Sequence, residues 1–362
     1  MKRILHVVGI MDPGGIETWL MNVLRNIDRT KVQFDFAVHT EKKGFYDDEI
    51  EELGGKFIRI PQFRLFNIHR YRKAWENILK QHGYTILHTH VRSTAPIYLK
   101  IAKKYGITTI AHSHNTSNGK FPIAFVKTFL QQKIAGYSDI RLACSDAAGK
   151  WLFRKHVFDI IKNGIDLSLY VQNDGARAEY RKAYHVADVD ILLGHIGRFS
   201  YQKNHFFLLD VFSQMYKKNK AFKLVLVGDG ELKNDIKKKI QELGLSDSVI
   251  LTGVRSDIPS LLQMMDGFVF PSLYEGLGIV LIEAQTAGLR CFMSDIIPSE
   301  VMLTENVYPI SLKKGSEYWA DFIMKNVGSR KKDNLQAIKD AGFDIKAVAK
   351  NLEKLYCDIS IH

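Results

Sequence analysis

A chain of 362 residues exceeds the usual reach of one hydrophobic core, and with 46% hydrophobic residues it can fill two. No apolar run approaches the ~20 residues of a membrane span, and the start Met1-Lys-Arg-Ile-Leu-His-Val-Val-Gly9 reads as a strand rather than a signal peptide, so a cytoplasmic location is expected. The net charge of +12 lies wholly in residues 1–165, with 26 Lys/Arg against 14 Asp/Glu, whereas residues 166–362 carry 25 of each; such a basic half attracts anionic lipid, nucleic acid or phosphorylated acceptors, or acts only as a solubilising excess.

The first expected strand, Ile4–Val8, ends in Gly9-Ile-Met-Asp-Pro-Gly-Gly-Ile-Glu17. There Gly14-Gly15 can bring main-chain amides over a phosphate at the start of a helix over Glu17–Asn26, although a plain strand-to-helix turn explains the segment equally well. The glycines form neither a Gly-x-Gly-x-x-Gly fingerprint nor a P-loop. Periodicity places further strands at Phe34–Val38, Ile86–Thr89, Thr108–His112 and Ile140–Cys144. Two stretches, Arg59–Trp75 and Lys120–Lys133, interleave cations with aromatic residues, as an interfacial helix or an ordinary half-buried helix does. Charge density favours the membrane for the first, with Arg64, Arg70, Arg72 and Lys73; for the second, with Lys120 and Lys127, both readings stand. Alternation along Ile110-Ala-His-Ser-His-Asn115 puts His112 and His114 on one face, where either can address a sugar hydroxyl or a transition state. A metal would need a third ligand, and spacing reveals none.

The turn Asn163-Gly164 sets a domain boundary at 165/166, followed by a polar hinge segment, Tyr170–Asp190. Within it, Asp188-Val189-Asp190 matches an Asp-x-Asp metal signature but lies in a linker and reads as solvated. A second cycle of strands follows at Ile191–Ile196, Lys223–Val227, Ser248–Leu251, Gly267–Phe270 and Arg290–Met293, separated by helices at Phe206–Lys217, Lys233–Leu243 and Pro259–Met265. Two domains, 1–165 and 166–344, with a late helix in 345–362, are expected to carry parallel sheets whose ligands bind beyond the carboxyl ends of the strands, making a cleft.

The chemistry gathers in the second domain. Arg198 and Lys203 follow its first strand and suit a diphosphate. Val227-Gly-Asp-Gly-Glu231, with Gly228, reads as a tight turn walling a nucleotide pocket. Glu275 and Glu283 stand eight positions apart in a turn and the helix after it, so that two carboxylates can hold different hydroxyls. The amides of Gly276, Leu277 and Gly278 lie at the opening of that helix, where anions bind. Cys144, Cys291 and Cys357 are dispersed and read as buried thiols.

Together these segments resemble the family 4 retaining glycosyltransferases over essentially the whole chain: Gly14-Gly15-Ile16-Glu17, the His112 strand end, Asn163-Gly164-Ile165-Asp166, Gly197-Arg198 with Lys203-Asn204, Val227-Gly-Asp-Gly230, Pro271-Ser272, and Glu275-Gly-Leu-Gly with Glu283-Ala284. The resemblance implies an α/β protein of GT-B architecture, two facing Rossmann-like domains with an interdomain cleft, and a last helix that packs back onto the first. It implies that Glu283 binds ribose, Glu275 the donor sugar, Gly276–Gly278 with Arg198 and Lys203 the diphosphate, and that Gly15 closes over the phosphate. His112 matches the family's active-site histidine best, with His114 in reserve. Arg290 stands where the family has Pro and Thr286 where Ala is common.

The implied activity is metal-independent transfer, with no cofactor, from an NDP-sugar, expected to be UDP-linked, to a lipid-linked saccharide in capsule or exopolysaccharide synthesis. The enzyme is then expected on the inner face of the cell membrane, with an anionic lipid surface and no nucleic acid among its partners. A nucleotide-sugar epimerase and a non-catalytic nucleotide-sugar-binding regulator are the alternatives.

Overall fold

Runs of Val, Ile, Leu and Phe long enough for one strand and apolar on both faces demand cover from helices on both sides, which a parallel sheet supplies. The computed structural model describes residues 1–114, 131–328, 330 and 334–360, and it contains two such sheets. Lys120 and Lys127 lie outside the described residues.

Contacts divide the chain into one unit of residues 1–165 and 342–362 and another of 166–341. The first unit's strands are β1 (Lys2–Val8), β2 (Val32–Val38), β3 (Phe57–Arg59), β4 (Ile86–Thr89), β5 (Thr108–Ser113), β6 (Ile140–Ala143) and β7 (Asp159–Ile160). They pair in parallel in the order β3-β2-β1-β4-β5-β6-β7. Alternation along β1 sends Ile4, His6 and Val8 to one face and Leu5 and Val7 to the other. The first face packs under the helices Gly15–Asn26 and Ile345–Asp358, with Phe34, Phe36 and Tyr356 in the core. The second packs under Ile68–Gln81 and Ala95–Lys104, around Trp75 and Tyr98.

The second unit contains β8 (Ile191–Ile196), β9 (Phe222–Val227), β10 (Val249–Gly253), β11 (Gly267–Phe270), β12 (Arg290–Ser294) and β13 (Val307–Ile310), in the parallel order β10-β9-β8-β11-β12-β13. In both sheets the order reverses direction once, between β1 and β4 and between β8 and β11. Loops leaving the carboxyl ends of those pairs diverge and leave a crevice, the usual ligand position in open α/β sheets.

Three strands are additional to those read from periodicity. β3 and β7, of three and two residues, sit at the sheet edges, too short to show a pattern. β13 is an edge strand with Pro309 inside it, a residue that argues against a strand everywhere except at an edge.

The basic stretch before Trp75 also differs from expectation. Tyr71 and Trp75 are fully buried in the first unit's core, so they are not available to a bilayer. Arg64 stacks over Phe66, which is 82% exposed. Cys144 and Cys291 are buried as expected, whereas Cys357 is exposed on the outer side of the last helix.

Candidate functional site

In the second unit, the loop after β8 and the loop after β11 are tied together by main-chain and amide bonds. The Leu273 amide donates to the Gln202 carbonyl (2.8 Å), Gln202 Nε2 to the Tyr274 carbonyl (2.9 Å) and Asn204 Nδ2 to the Pro271 carbonyl (3.1 Å). Asn204 adopts a left-handed conformation (φ 55°) that ends the turn Tyr201–Lys203 and starts the helix His205–Lys218. This scaffold brings Lys203 Nζ to 2.7 Å from Glu275 Oε1, with side-chain exposures of 16% and 7%. The same ammonium lies 4.5 Å from the Phe270 ring centroid. Two buried histidines sit behind it: His195 Nδ1 bonds the Val269 carbonyl (2.9 Å), and His205 is pushed down to about 4 by burial and by the Lys203 charge. Periodicity gave His195 and His205 no role; they back the lysine as neutral rings.

Arg198 is placed differently from the expected pair of fixed cations. Its side chain is 75% exposed, and Nε donates to Glu231 Oε2 at 3.2 Å. Arg198 follows a strand, as Lys203 does, but no wall closes around it; it is a solvent-facing charge that a ligand would have to recruit from Glu231.

The turn after β9 presses on the loop carrying Arg198. The Phe199 amide donates to the Asp229 carbonyl (2.9 Å) and the Leu232 amide to the Phe199 carbonyl (3.0 Å). A Cβ on Gly228 would lie 2.2 Å from the Gly197 carbonyl oxygen, and φ there is +140°, so only glycine fits.

After β11, Gly278 (φ +76°) caps the helix Ile279–Thr286 with no side-chain hydrogen bond, and the Leu281 amide donates to the Gly278 carbonyl (2.9 Å). Leu277 is buried, so its side chain belongs to the core and only its main chain is offered to a ligand. Glu283 lies further along this helix and accepts a hydrogen bond from Tyr170 Oη (2.8 Å). Part of the Glu283 side chain is accessible, yet the carboxyl group is enclosed, and burial raises its pKa to about 7 against the opposing effect of Tyr170. Tyr170 opens the segment read as a polar hinge, and its aromatic ring in that setting was the available signal. Arg290 donates to the Asn326 carbonyl and Thr286 Oγ1 to the Ile282 carbonyl (2.7 Å), so both departures from the family pattern serve packing.

In the first unit, Gly14 caps the helix Gly15–Asn26, and a Cβ there would stand 2.5 Å from Glu17 Oε2. A Cβ on Gly15 would meet nothing within 4 Å. Glu17 is held in this first turn with its pKa raised to about 7, first by burial and then by the nearby Asp12.

His112 and His114 belong to a larger assembly. The register pairs His6 with His88 across β1 and β4, and His90 follows two residues on. His6 Nδ1 lies 3.1 Å from His90 Nε2, and His90 Nδ1 lies 2.9 Å from His114 Nε2. The His112 ring stacks on His88 at a 10° interplanar angle and meets Trp19 edge-on. His112 is almost wholly buried, with neither ring nitrogen hydrogen-bonded among the described residues, while His114 at 9% exposure is the more accessible. Burial drives His6 and His114 down to about 3 and the others well below the ordinary histidine value. Asn163 favours the charged form of His114, but no bond between them reaches hydrogen-bonding geometry. The third imidazole that spacing did not reveal is therefore present, supplied by other strands: His90, His112 and His114 lie close enough to share an ion, as do His6, His88 and His90.

Comparison with known proteins accords with this geometry. The Glycosyltransferase Family 4 model matches residues 13–169, and the Glycosyl transferases group 1 model matches residues 176–323. A putative glycosyltransferase of Bacillus subtilis (strain 168), EpsF, is 34% identical over 337 residues, covering 90% of this chain and 87% of its own. The UDP-Gal:alpha-D-GlcNAc-diphosphoundecaprenol alpha-1,3-galactosyltransferase of Escherichia coli is 30% identical over 304 residues, covering 76% and 78%. Among solved structures, Anabaena HepE in complex with UDP and glucose superposes with a TM-score of 0.81 at 19% identity, over 99% of this chain and 100% of that one, a likeness of fold. Two parallel-sheet Rossmann-like domains, and a relative 34% identical over 90% of the chain, make the chain a GT-B glycosyltransferase that belongs to family 4.

Proposed function

We propose that this glycosyltransferase moves a sugar from a UDP-linked donor to a lipid-linked saccharide during synthesis of a cell-surface polysaccharide, with retention of anomeric configuration. The observation that carries the proposal is the enclosed Lys203–Glu275 pair at the β8/β11 crevice, with Glu283 further along the same segment. The donor and acceptor classes are supported by the name of the E. coli relative, a galactosyltransferase acting on a diphosphoundecaprenol-linked sugar.

The donor's bond between the anomeric carbon and phosphate oxygen breaks with its electrons passing to the diphosphate. Lys203, held rigid by Glu275 and the Phe270 ring, and the amides opening the helix Ile279–Thr286 stabilise that charge. Arg198 joins them on leaving Glu231. Glu275 Oε1 takes the lysine, and its second oxygen addresses a sugar hydroxyl; Glu283 accepts from the ribose. Assigning the leaving-group charge to these groups makes the transfer independent of a metal at the donor. The acceptor hydroxyl attacks from the face the diphosphate leaves, its oxygen bonding to the anomeric carbon while its proton passes to the departing phosphate oxygen. Gly14 and Gly15 are assigned to phosphate contact, and His114, the accessible edge of the histidine cluster, takes the active-site histidine's place ahead of the enclosed His112.

Peripheral membrane attachment is assigned to the first unit, whose residues carry the whole excess of positive charge. Arg70 and Lys73 line a shallow groove with Pro61, His69, Ala74 and Asn77, and the exposed Phe66 stands nearby in sequence beside Arg64. Among the described residues no helix is long and apolar enough to cross a membrane.

A panel of UDP-, GDP- and ADP-sugars, read as diphosphate release with membrane extract as acceptor, tests the proposal. Release is expected from a UDP-sugar, falling about 100-fold or more in Lys203→Ala. Unimpaired turnover in that variant, or epimerised sugar formed without acceptor, defeats it.

A further inference from the structure

We propose that the first unit binds one divalent late-transition-metal ion, of the Zn2+ class, on the imidazoles of His6, His88 and His90. The three side chains come from β1, β4 and the residue just past β4. Parallel register sets His6 beside His88, and the two-residue repeat of a strand keeps His90 on the same face. One ring nitrogen from each lies within 4.8 Å of the other two. Tetrahedral Zn–N bonds of about 2.0–2.1 Å place ligand nitrogens about 3.3 Å apart. The His6 Nδ1 to His90 Nε2 separation of 3.1 Å is a few tenths short of that.

The remaining nitrogens of His90 and His88 are placed as those of metal ligands are. With Nε2 of His90 on the ion, its Nδ1–H donates to His114 Nε2 at 2.9 Å. With Nε2 of His88 on the ion, its Nδ1–H donates to Tyr356 Oη at 2.7 Å. Such outer partners fix tautomer and ring orientation. His88 Nε2, the atom left to the ion, finds no hydrogen-bond partner among the described residues although it is sealed from solvent, whereas His6 meets the ion through Nδ1 and its Nε2 has no outer partner among the described residues. Buried polar atoms in that state call for an occupant. The neighbouring set of His90, His112 and His114 is less well prepared, because among the described residues neither nitrogen of His112 makes a hydrogen bond of good geometry that would orient it.

An all-imidazole donor set favours Zn2+, Cu2+, Ni2+ and Co2+ over Mg2+ or Ca2+. Three ligands leave one coordination position for water. The ion would clasp β1 to β4 and, through Tyr356, to the helix Ile345–Asp358, and it would orient His114 through His90. It does not depend on the assignment of donor or acceptor.

The full chain, made without a histidine tag and stripped with a chelator, is titrated with Zn2+ and with Co2+. The expected result is one tightly held ion per chain by elemental analysis, a rise in Tm on loading, and the intense visible absorption of tetrahedral Co2+. His6→Asn and His88→Asn each weaken binding by at least about 100-fold, Tyr356→Phe by about 10-fold, and His112→Asn keeps the stoichiometry at one. If the histidine variants do not fold, X-ray absorption on the Zn2+-loaded natural chain decides: three imidazole nitrogens support the site and fewer overturn it. A chain that takes up no stoichiometric ion, as expected of a neutral histidine stack solvated by water, also overturns it. So does an ion kept by His6→Asn and His88→Asn but lost from His112→Asn.

Discussion

Glu283 joins two demands that oppose each other. Its carboxyl is enclosed, so the neutral form is favoured, yet the ribose hydroxyls proposed for it would donate to the charged form. The folded pKa of about 7 stands above the ordinary 4.5, so as pH rises from 4.5 to 7 the native state holds a proton the unfolded state has released, and stability falls. Glu283→Gln removes that cost, and at pH 8 the variant should unfold about 1–2 kcal/mol less readily in urea. Uridine diphosphate should bind the natural protein fully above pH 7 and more weakly below it by calorimetry, whereas the Gln variant should bind weakly at every pH. At this scale the placement of the two glutamates and Lys203 after strand ends was legible because a Gly-punctuated turn at a strand end leaves few places for a polar side chain. The exposure of Arg198 was not, since two cations five residues apart after a strand read alike until the loops around one of them close. Nor was the histidine assembly: His6, His88 and His112 are far apart in sequence, and only sheet register shows that their strands are neighbours.

The helix Ile68–Gln81 separates two kinds of aromatic residue that composition treats as one. Tyr71, Trp75 and Leu79 recur at helical spacing and fill the core, leaving the cations on the other faces. Trp75→Ala should therefore cost about 3–5 kcal/mol of stability, measured by denaturant unfolding. Phe66→Ser should leave stability nearly unchanged and reduce co-sedimentation with anionic vesicles, the same readout that charge reversal at Arg70 and Lys73 should lower in a salt-dependent way. Strands in the sheet interiors were legible from their apolar runs. At the edges, β10 was legible as well, but β3 and β7 escaped because they are too short to repeat and β13 because it carries a proline.

Across the whole molecule, the first unit is assembled from both ends of the chain. Lys2 Nζ donates to the carbonyls of Tyr356 (3.1 Å), Cys357 (2.8 Å) and Ile359 (2.6 Å). Ile345, Val348, Ala349, Leu352 and Tyr356 complete the core over β1 and β2. Cutting the chain after Ala341 should expose that apolar face. Hydrogen exchange should then show protection lost throughout β1, β2 and β4 and retained in β8–β13, and equal loss in both sheets would contradict the division.

That arrangement orders events on the ribosome. Residues 166–341 form an uninterrupted stretch that can fold as soon as it emerges, but the part made first waits for the part made last. Until residues 345–358 are translated, the nascent amino-terminal sheet keeps a bare hydrophobic flank, and molecular chaperones have the whole elongation time in which to meet it.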